Sequence, residues 1–349
     1  MKGCLFAVAL VFGSLLAGCG GGGASGPIEQ LPAASAPRNV IAFGATDAAG
    51  ANALYSIAPD GIHILQLSAE PAAVSFPRWS PSGDRIAYIV GATGAQATLR
   101  VYSFATSAAS TVSSHVLASA EGPTTAWSPD GSRIAFIEST DGGHVRVFDF
   151  KQNKVRDTPD DAATAVDWSR RDELAIVAPA GESTRVYTMG ADGKGKHQLP
   201  GGDKVNGAPA WSIDGKTLAF WGGSSLQLSQ RSVFVYATSS AQTKTIGPGT
   251  NASWSNDGRL AFSRSVNAGA SGALDIYATG VGGVSPARLT QSITQIRWPS
   301  WSPDAKSIVY LSAADPSTTF LCTVIVAETK NECLDLTGLR PGVPAWSPF

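Results

Sequence analysis

Few side chains in this 349-residue sequence have types and spacings that could do chemistry. The four histidines, His63, His115, His144 and His197, are scattered. Neither they nor the cysteines fall at zinc-ligand spacings, so no metal is expected. No Gly-x-Ser-x-Gly nucleophile turn occurs. What remains is the chemistry of recognition. Arg78 and Asp167 each stand directly before a tryptophan, where Ala126, Ala210, Ser253, Ser300 and Ala345 stand elsewhere. Two opposite charges at a position otherwise kept small must reach water, each other or a ligand, and a mutual or solvated ion pair contributes little. Phe76 and Trp298 stand three residues before a tryptophan, where the equivalents are Thr124, Ala165, Ala208, Asn251 and Val343. With Arg297 beside Trp298, they are either packing residues or an aromatic patch of the kind that anchors partners. Cys322 and Cys333 are either a disulfide, which would contribute about 3 kcal/mol by closing a short loop, or two buried thiols.

The elements that must position these residues come from one recurring stretch, Trp127-Ser128-Pro129-Asp130-Gly131 followed by Ile134-Ala135-Phe136. Its tryptophans fall at 79, 127, 168, 211, 254, 301 and 346, between 41 and 48 residues apart. The proline presets φ for a tight turn and the glycine takes positive φ without steric cost, so two strands meet there. The strand after the turn is continuously apolar, as expected of one buried on both faces. Repeats of that length made of short strands predict a β-propeller. Each tryptophan buries roughly 150 to 250 Å², an upper bound of about 4 to 6 kcal/mol at the blade contacts.

The last tryptophan, Trp346, is cut off at Phe349, whereas Asn39 to Gly44 reads as a strand lacking its tryptophan. The ends therefore predict one shared blade, and the fold expected is all-β: a seven-bladed propeller of four-stranded blades over 38–349. Pairing the C-terminal strand with the N-terminal strands closes it and hides a sheet edge. The central-strand starts and the loops Thr46 to Asn52, Gly91 to Ala97, Pro179 to Ser183 and Asn267 to Gly272 are expected on one face. That face is read as the channel mouth carrying Phe76, Arg78, Asp167, Arg297 and Trp298. Charged residues are only 15% and the net charge is −1, which leaves no electrostatic footprint for nucleic acid.

Before the propeller, Lys2, the apolar run Leu5 to Leu16 and Leu16-Ala17-Gly18-Cys19 resemble a bacterial lipoprotein signal with its lipobox. That resemblance implies a signal peptide over 1–18, removed with Cys4, and acylation of Cys19. Residues 19–37, rich in glycine and proline, read as a flexible tether. Gly20 after the cysteine, where an aspartate would resemble an inner-membrane retention signal, points to the outer membrane, on its periplasmic or exterior side. The lipid is the expected membrane contact.

The Trp-Ser-Pro-Asp-Gly turn with its Ile-Ala-Phe strand resembles the repeat of the TolB-like propellers, shared with the prolyl oligopeptidase and oligogalacturonate lyase families. The resemblance implies fold more than function, because function lives in sites grafted on folds. The function expected is a lipid-anchored binding or scaffold module at the cell envelope, without cofactor and not an enzyme. Its partner is expected to be another envelope protein or a peptide, with a glycan as the other candidate. The alternative is a polysaccharide lyase or hydrolase acting through the channel.

Overall fold

The computed structural model describes residues 37–140, 142–158, 162–265, 273–280, 285–292, 294–315 and 317–349. The signal peptide, Cys19, the tether up to residue 36 and the Asn267 to Gly272 loop lie outside the described residues. Among the described residues the only helix is the short 3-10 turn Leu228–Gln230, and everything else regular is strand.

Each tryptophan strand heads an antiparallel four-stranded meander. Val74–Trp79, Arg85–Val90, Gln96–Ser103 and Ala108–Leu117 form one, and Val205–Trp211, Thr217–Gly223, Arg231–Ala237 and Gln242–Pro248 another. The two sheets of eight strands are pairs of such meanders, joined through single contacts at Val116 and Glu138 and at Leu274 and Gln295. The C-terminal strand Leu339–Trp346 lies against the first described strand, Ile41–Asp47, with Trp346 opposite Ile41 and Leu339 opposite Asp47. This all-β arrangement of repeated meanders is that of a β-propeller.

The repeat sequence accounts for the local structure. In the Trp127 turn the Gly131 amide donates to the Ser128 carbonyl at 2.8 Å, with Gly131 at φ 67°. Ser128 Oγ donates to Asp130 Oδ1 at 2.6 Å and accepts from the Arg133 amide at 2.9 Å, locking the exit of the turn. Hydrogen bonds from Ser128 and Ser132 hold the Asp130 carboxyl well below its ordinary pKa. The strands after the turns form the core: Ile86, Ala87, Ile134, Ala135, Phe136, Leu218, Ala219 and Phe220 are all essentially inaccessible.

The tryptophans join one unit to the next. The indole N–H of Trp79 donates to the Ala345 carbonyl at 3.0 Å, Trp127 to Arg78 at 2.9 Å, Trp254 to Ala210 at 2.9 Å and Trp301 to Ser253 at 3.1 Å. Arginines after the turns cover tryptophan rings from the preceding unit. Arg85, Arg133 and Arg259 stand 4.8, 4.9 and 4.8 Å from the centres of Trp127, Trp168 and Trp301. Each such cation–π contact contributes on the order of 1 kcal/mol. In these four joints the carbonyl before a tryptophan is used, and the side chain at that position remains free to differ between units.

Candidate functional site

Four central strands carry a non-glycine residue in the left-handed region three positions before the tryptophan: Phe76 at φ 47°, Ala208 at 45°, Asn251 at 52° and Trp298 at 58°. At each the pairing with the second strand slips, between Ser75 and Arg78, Gly207 and Ala210, Thr250 and Ser253, and Arg297 and Ser300. A bulge of this kind re-aims a side chain. For a ring as large as Phe or Trp it costs on the order of 1 to 3 kcal/mol. Three of the kinks are followed by Pro77, Pro209 and Pro299. A central strand has no hydrogen-bonded neighbour on its inner side, so the missing N–H leaves no partner unsatisfied.

The kinks shape a cavity of about 360 Å³ at the Trp-Ser-Pro end of the central strands. Phe76 and Trp298 meet there edge to face, ring centres 5.0 Å apart and planes at 85°. Both are half-buried and both line the cavity. Arg78 and Asp167 also line it, joined by a 2.6 Å bond from Arg78 Nη2 to Asp167 Oδ1. The pair reaches past the Trp127 unit, whose equivalent residue is the small Ala126. Asp167 Oδ2 accepts the Trp211 amide at 2.7 Å, so both carboxylate oxygens are engaged. Burial raises the Asp167 pKa, against the opposing pull of Arg78 and of the Trp211 and Trp168 amides. Two buried groups of the lining have no partner among the described residues, the donor Trp211 Nε1 and the acceptor Asn251 Oδ1.

One wall comes from a connection rather than a strand. Between Ala108–Leu117 and Thr125–Trp127 the chain reaches past the Trp168 unit to the Trp211 unit: the Pro123 carbonyl accepts the Val166 amide at 3.5 Å and Gly122 lies against Ala208. A Cβ on Gly122 would come within 3.0 Å of the Ala208 methyl, which explains the glycine. Pro123 lines the cavity.

Two expectations need correction. Arg297 does not line this cavity. It lies on the far side of the Trp298 kink, donates to Gln295 Oε1 at 2.5 Å and feels the charges of Arg231 and Glu121. The loops Thr46 to Asn52, Gly91 to Ala97 and Pro179 to Ser183 are not on the mouth that holds the aromatic pair. Antiparallel pairing puts them beside the starts of the central strands, as Thr46 opposite Arg340 and Val74 opposite Val90 show, whereas the cavity is at the tryptophan ends. The central strands begin earlier than the tryptophan spacing suggests, at Val74, Val205 and Gln295, so Phe76 and Trp298 are mid-strand.

The other candidates are placed as follows. Cys322 and Cys333 face each other on neighbouring strands and are joined by a disulfide, their Cα atoms 3.8 Å apart. His115, His144 and His197 lie on third or fourth strands and His63 in the turn between second and third strands counted from Ile41, all away from the cavity. The residues that the sequence reading missed are Ala208, Asn251 and the Gly122-Pro123 wall. A signal was present in the prolines two residues before Trp79, Trp211, Trp301 and Trp346.

A family model described as the lipoprotein LpqB beta-propeller domain matches residues 15–233. No curated protein matches the chain. Among solved structures, TolB from Acinetobacter baumannii is similar at TM-score 0.59 and 16% identity, over 89% of this chain and 67% of that one. Oligogalacturonate lyase in complex with manganese is similar at 0.62 and 13%, over 81% and 85%. The β-propeller domain of the Trilobed protease from Pyrococcus furiosus is similar at 0.61 and 14%, over 85% and 92%. At these identities the likeness is one of fold. The residues here do not fit a metal like that of the lyase: among the described residues no three His, Cys, Asp or Glu side chains gather to hold an ion, and the carboxylate of the cavity is already engaged.

Proposed function

The chain belongs to the lipoprotein LpqB beta-propeller domain family, and from that premise we propose that it is a lipid-anchored scaffold of the cell envelope whose cavity binds a segment of a partner protein. The observation that carries this reading is the aromatic pair Phe76 and Trp298, held into the cavity by strained backbone beside a free donor and a free acceptor. Strain at such positions persists where the surroundings over-determine it, and it clusters at ligand clamps. An apolar, proline-lined hollow with few polar groups suits binding.

The proposal includes a ring of seven blades, the last completed by the C-terminal strand. In its favour, Leu339–Trp346 pairs with Ile41–Asp47, and the Trp79 indole bonds the Ala345 carbonyl, so the C-terminal strand is held from both sides. It also includes acylation of Cys19, with the protein on the periplasmic or outer face of a membrane. Among the described residues no helix is long and apolar enough to cross a membrane.

The chain joins the fold at the cavity end. Trp346 Nε1 donates to Asn39 Oδ1 at 2.9 Å, the Val40 amide donates to Ser347 Oγ at 3.1 Å, and Pro348 lines the cavity. The test is capture from membranes of the native organism with wild type and Trp298→Ala. The variant should hold the same partner at least about tenfold more weakly, equivalent to about 1.4 kcal/mol. Equal capture by both would overturn the assignment of the cavity. Cys19→Ser should abolish fatty-acid labelling; continued labelling would overturn the anchor.

A further inference from the structure

One of the turns at the cavity end is built differently from the rest. The residue after Trp-Ser is Pro81, Pro129, Ile213, Asn256, Pro303 or Pro348, but after Trp168-Ser169 it is Arg170. The next position, which carries the acids Asp130, Asp214, Asp257 and Asp304 in four of the turns, is Arg171. The left-handed position after that is Asp172, at φ 61°, where Gly131 stands in the Trp127 turn. This turn therefore lacks both the proline that presets φ and the glycine that takes positive φ freely. In place of a carboxylate it presents two guanidinium groups.

The carboxylates nearby are engaged. Asp172 Oδ1 accepts from Arg133 at 2.8 Å and from the Trp168 indole at 3.0 Å. Asp214 accepts the Ser212 hydroxyl at 2.7 Å and the Lys216 amide at 3.0 Å. Arg171 runs along the neighbouring turn, where its Cγ lies 3.1 Å from the place a Cβ on Gly215 would take. That turn supplies Ile213, which is exposed and lines the cavity. Arg170 is also exposed and also lines the cavity, and among the described residues its side chain has no ion-pair partner. Of the three charged residues in the lining, Arg78 and Asp167 neutralise each other, so Arg170 is the charge that an occupant meets.

We propose, resting on the reading of the cavity as a site for a protein segment, that its occupant is acidic: a carboxylate pairs with Arg170 while an adjoining apolar side chain packs on Phe76 and Trp298. A guanidinium offers paired donors to the two oxygens of a carboxylate. At the edge of an apolar hollow such a pair is screened less than one on open surface. The apolar anchor supplies most of the affinity, and the charge supplies the rate of association and the choice of segment. The departure from the turn pattern is thereby accounted for, because a proline at position 170 would hold the turn better and recognise no charge.

The test is selection from a random peptide library displayed on phage, with the full chain as bait, followed by fluorescence anisotropy on the synthesised peptides. Peptides selected by wild type should carry Asp or Glu beside an apolar or aromatic residue. Arg170→Gln should bind them at least about tenfold more weakly, as loss of a charge-assisted hydrogen bond implies, with its melting temperature unchanged. Arg170→Glu should turn the selection to Lys or Arg at the same position. Arg170→Pro, which restores the common turn, should melt no lower than wild type and lose the acidic preference. Peptides that depend on Trp298 but show no acidic preference and bind Arg170→Gln equally would overturn the proposal and leave the cavity assignment standing. A selection that stays acidic with Arg170→Glu would overturn it as well. No enriched peptide, or Arg170-dependent binding of polygalacturonate in place of peptides, would overturn both readings.

Discussion

Phe76 and Trp298 come from units on either side of the one that holds the C-terminal strand, and their rings meet at 5.0 Å in the cavity that Val343 of that strand also lines. Each ring is delivered by a residue at positive φ. The contact depends on backbone that neither residue type prefers, so replacing the side chain also changes the strain beneath it.

Glycine is the revealing substitution. Trp298→Gly removes the ring and relieves a left-handed conformation that glycine adopts freely. The melting temperature should fall less than for Trp298→Ala, while partner capture falls by the same factor of about ten or more. Thermal melts and binding of both variants check this. A glycine variant that melts below the alanine variant would mean that φ 58° is not a strained position.

The Arg78 and Asp167 pair predicts a dependence on pH. Burial raises the Asp167 pKa, so between the ordinary carboxylate value and the raised one the folded state holds a proton that the unfolded state has lost. Stability from this group therefore falls as pH rises through that window. Arg78→Met removes the main opposing charge and widens the window. The loss at neutral pH should be about 1 to 3 kcal/mol, discounted because Arg78 is partly solvated, and should shrink on acidification. Melting curves between about pH 4 and pH 8 show it. Asp167→Asn, which keeps an acceptor for the Trp211 amide, should remove this part of the profile.

Deleting Pro344 to Phe349 takes away Trp346, which is 7% exposed, its bond to Asn39 and part of the strand beside Ile41–Asp47. Loss of a buried tryptophan alone costs about 3 to 5 kcal/mol. The truncated protein should be insoluble or melt far below the full chain. An unchanged melting temperature would show that the last strand contributes nothing to the fold.

The disulfide between Cys322 and Cys333 closes a loop of sequence separation 11. In the chain-entropy model such a loop contributes about 3 kcal/mol. Reduction, or Cys322→Ala with Cys333→Ala, should lower the melting temperature by several degrees, and it should leave partner capture intact because neither residue lines the cavity.

The sequence made the repeats plain because turn chemistry and burial are written in residue types. Trp-Ser-Pro-Asp-Gly needs a turn, and Ile-Ala-Phe needs burial on both faces. The site was only half legible. Outliers at Phe76, Trp298, Arg78 and Asp167 stood out against small residues at the same positions, and all four line one cavity. Nothing in Phe or Trp signals a left-handed residue, so the kinks, and the face they look to, were hidden. Arg297 was misplaced for the same reason: across a kink, sequence neighbours look to opposite ends of the channel.

Glu121 and Pro123 are separated by Gly122 alone, yet the first answers to Arg231 at one end of the channel and the second forms a wall of the cavity at the other. Gly122 packs against Ala208, where an added Cβ would meet the Ala208 methyl at 3.0 Å. One short connection thus staples its own unit to the two that follow it in the chain, Pro123 through the Val166 amide and Glu121 through Arg231.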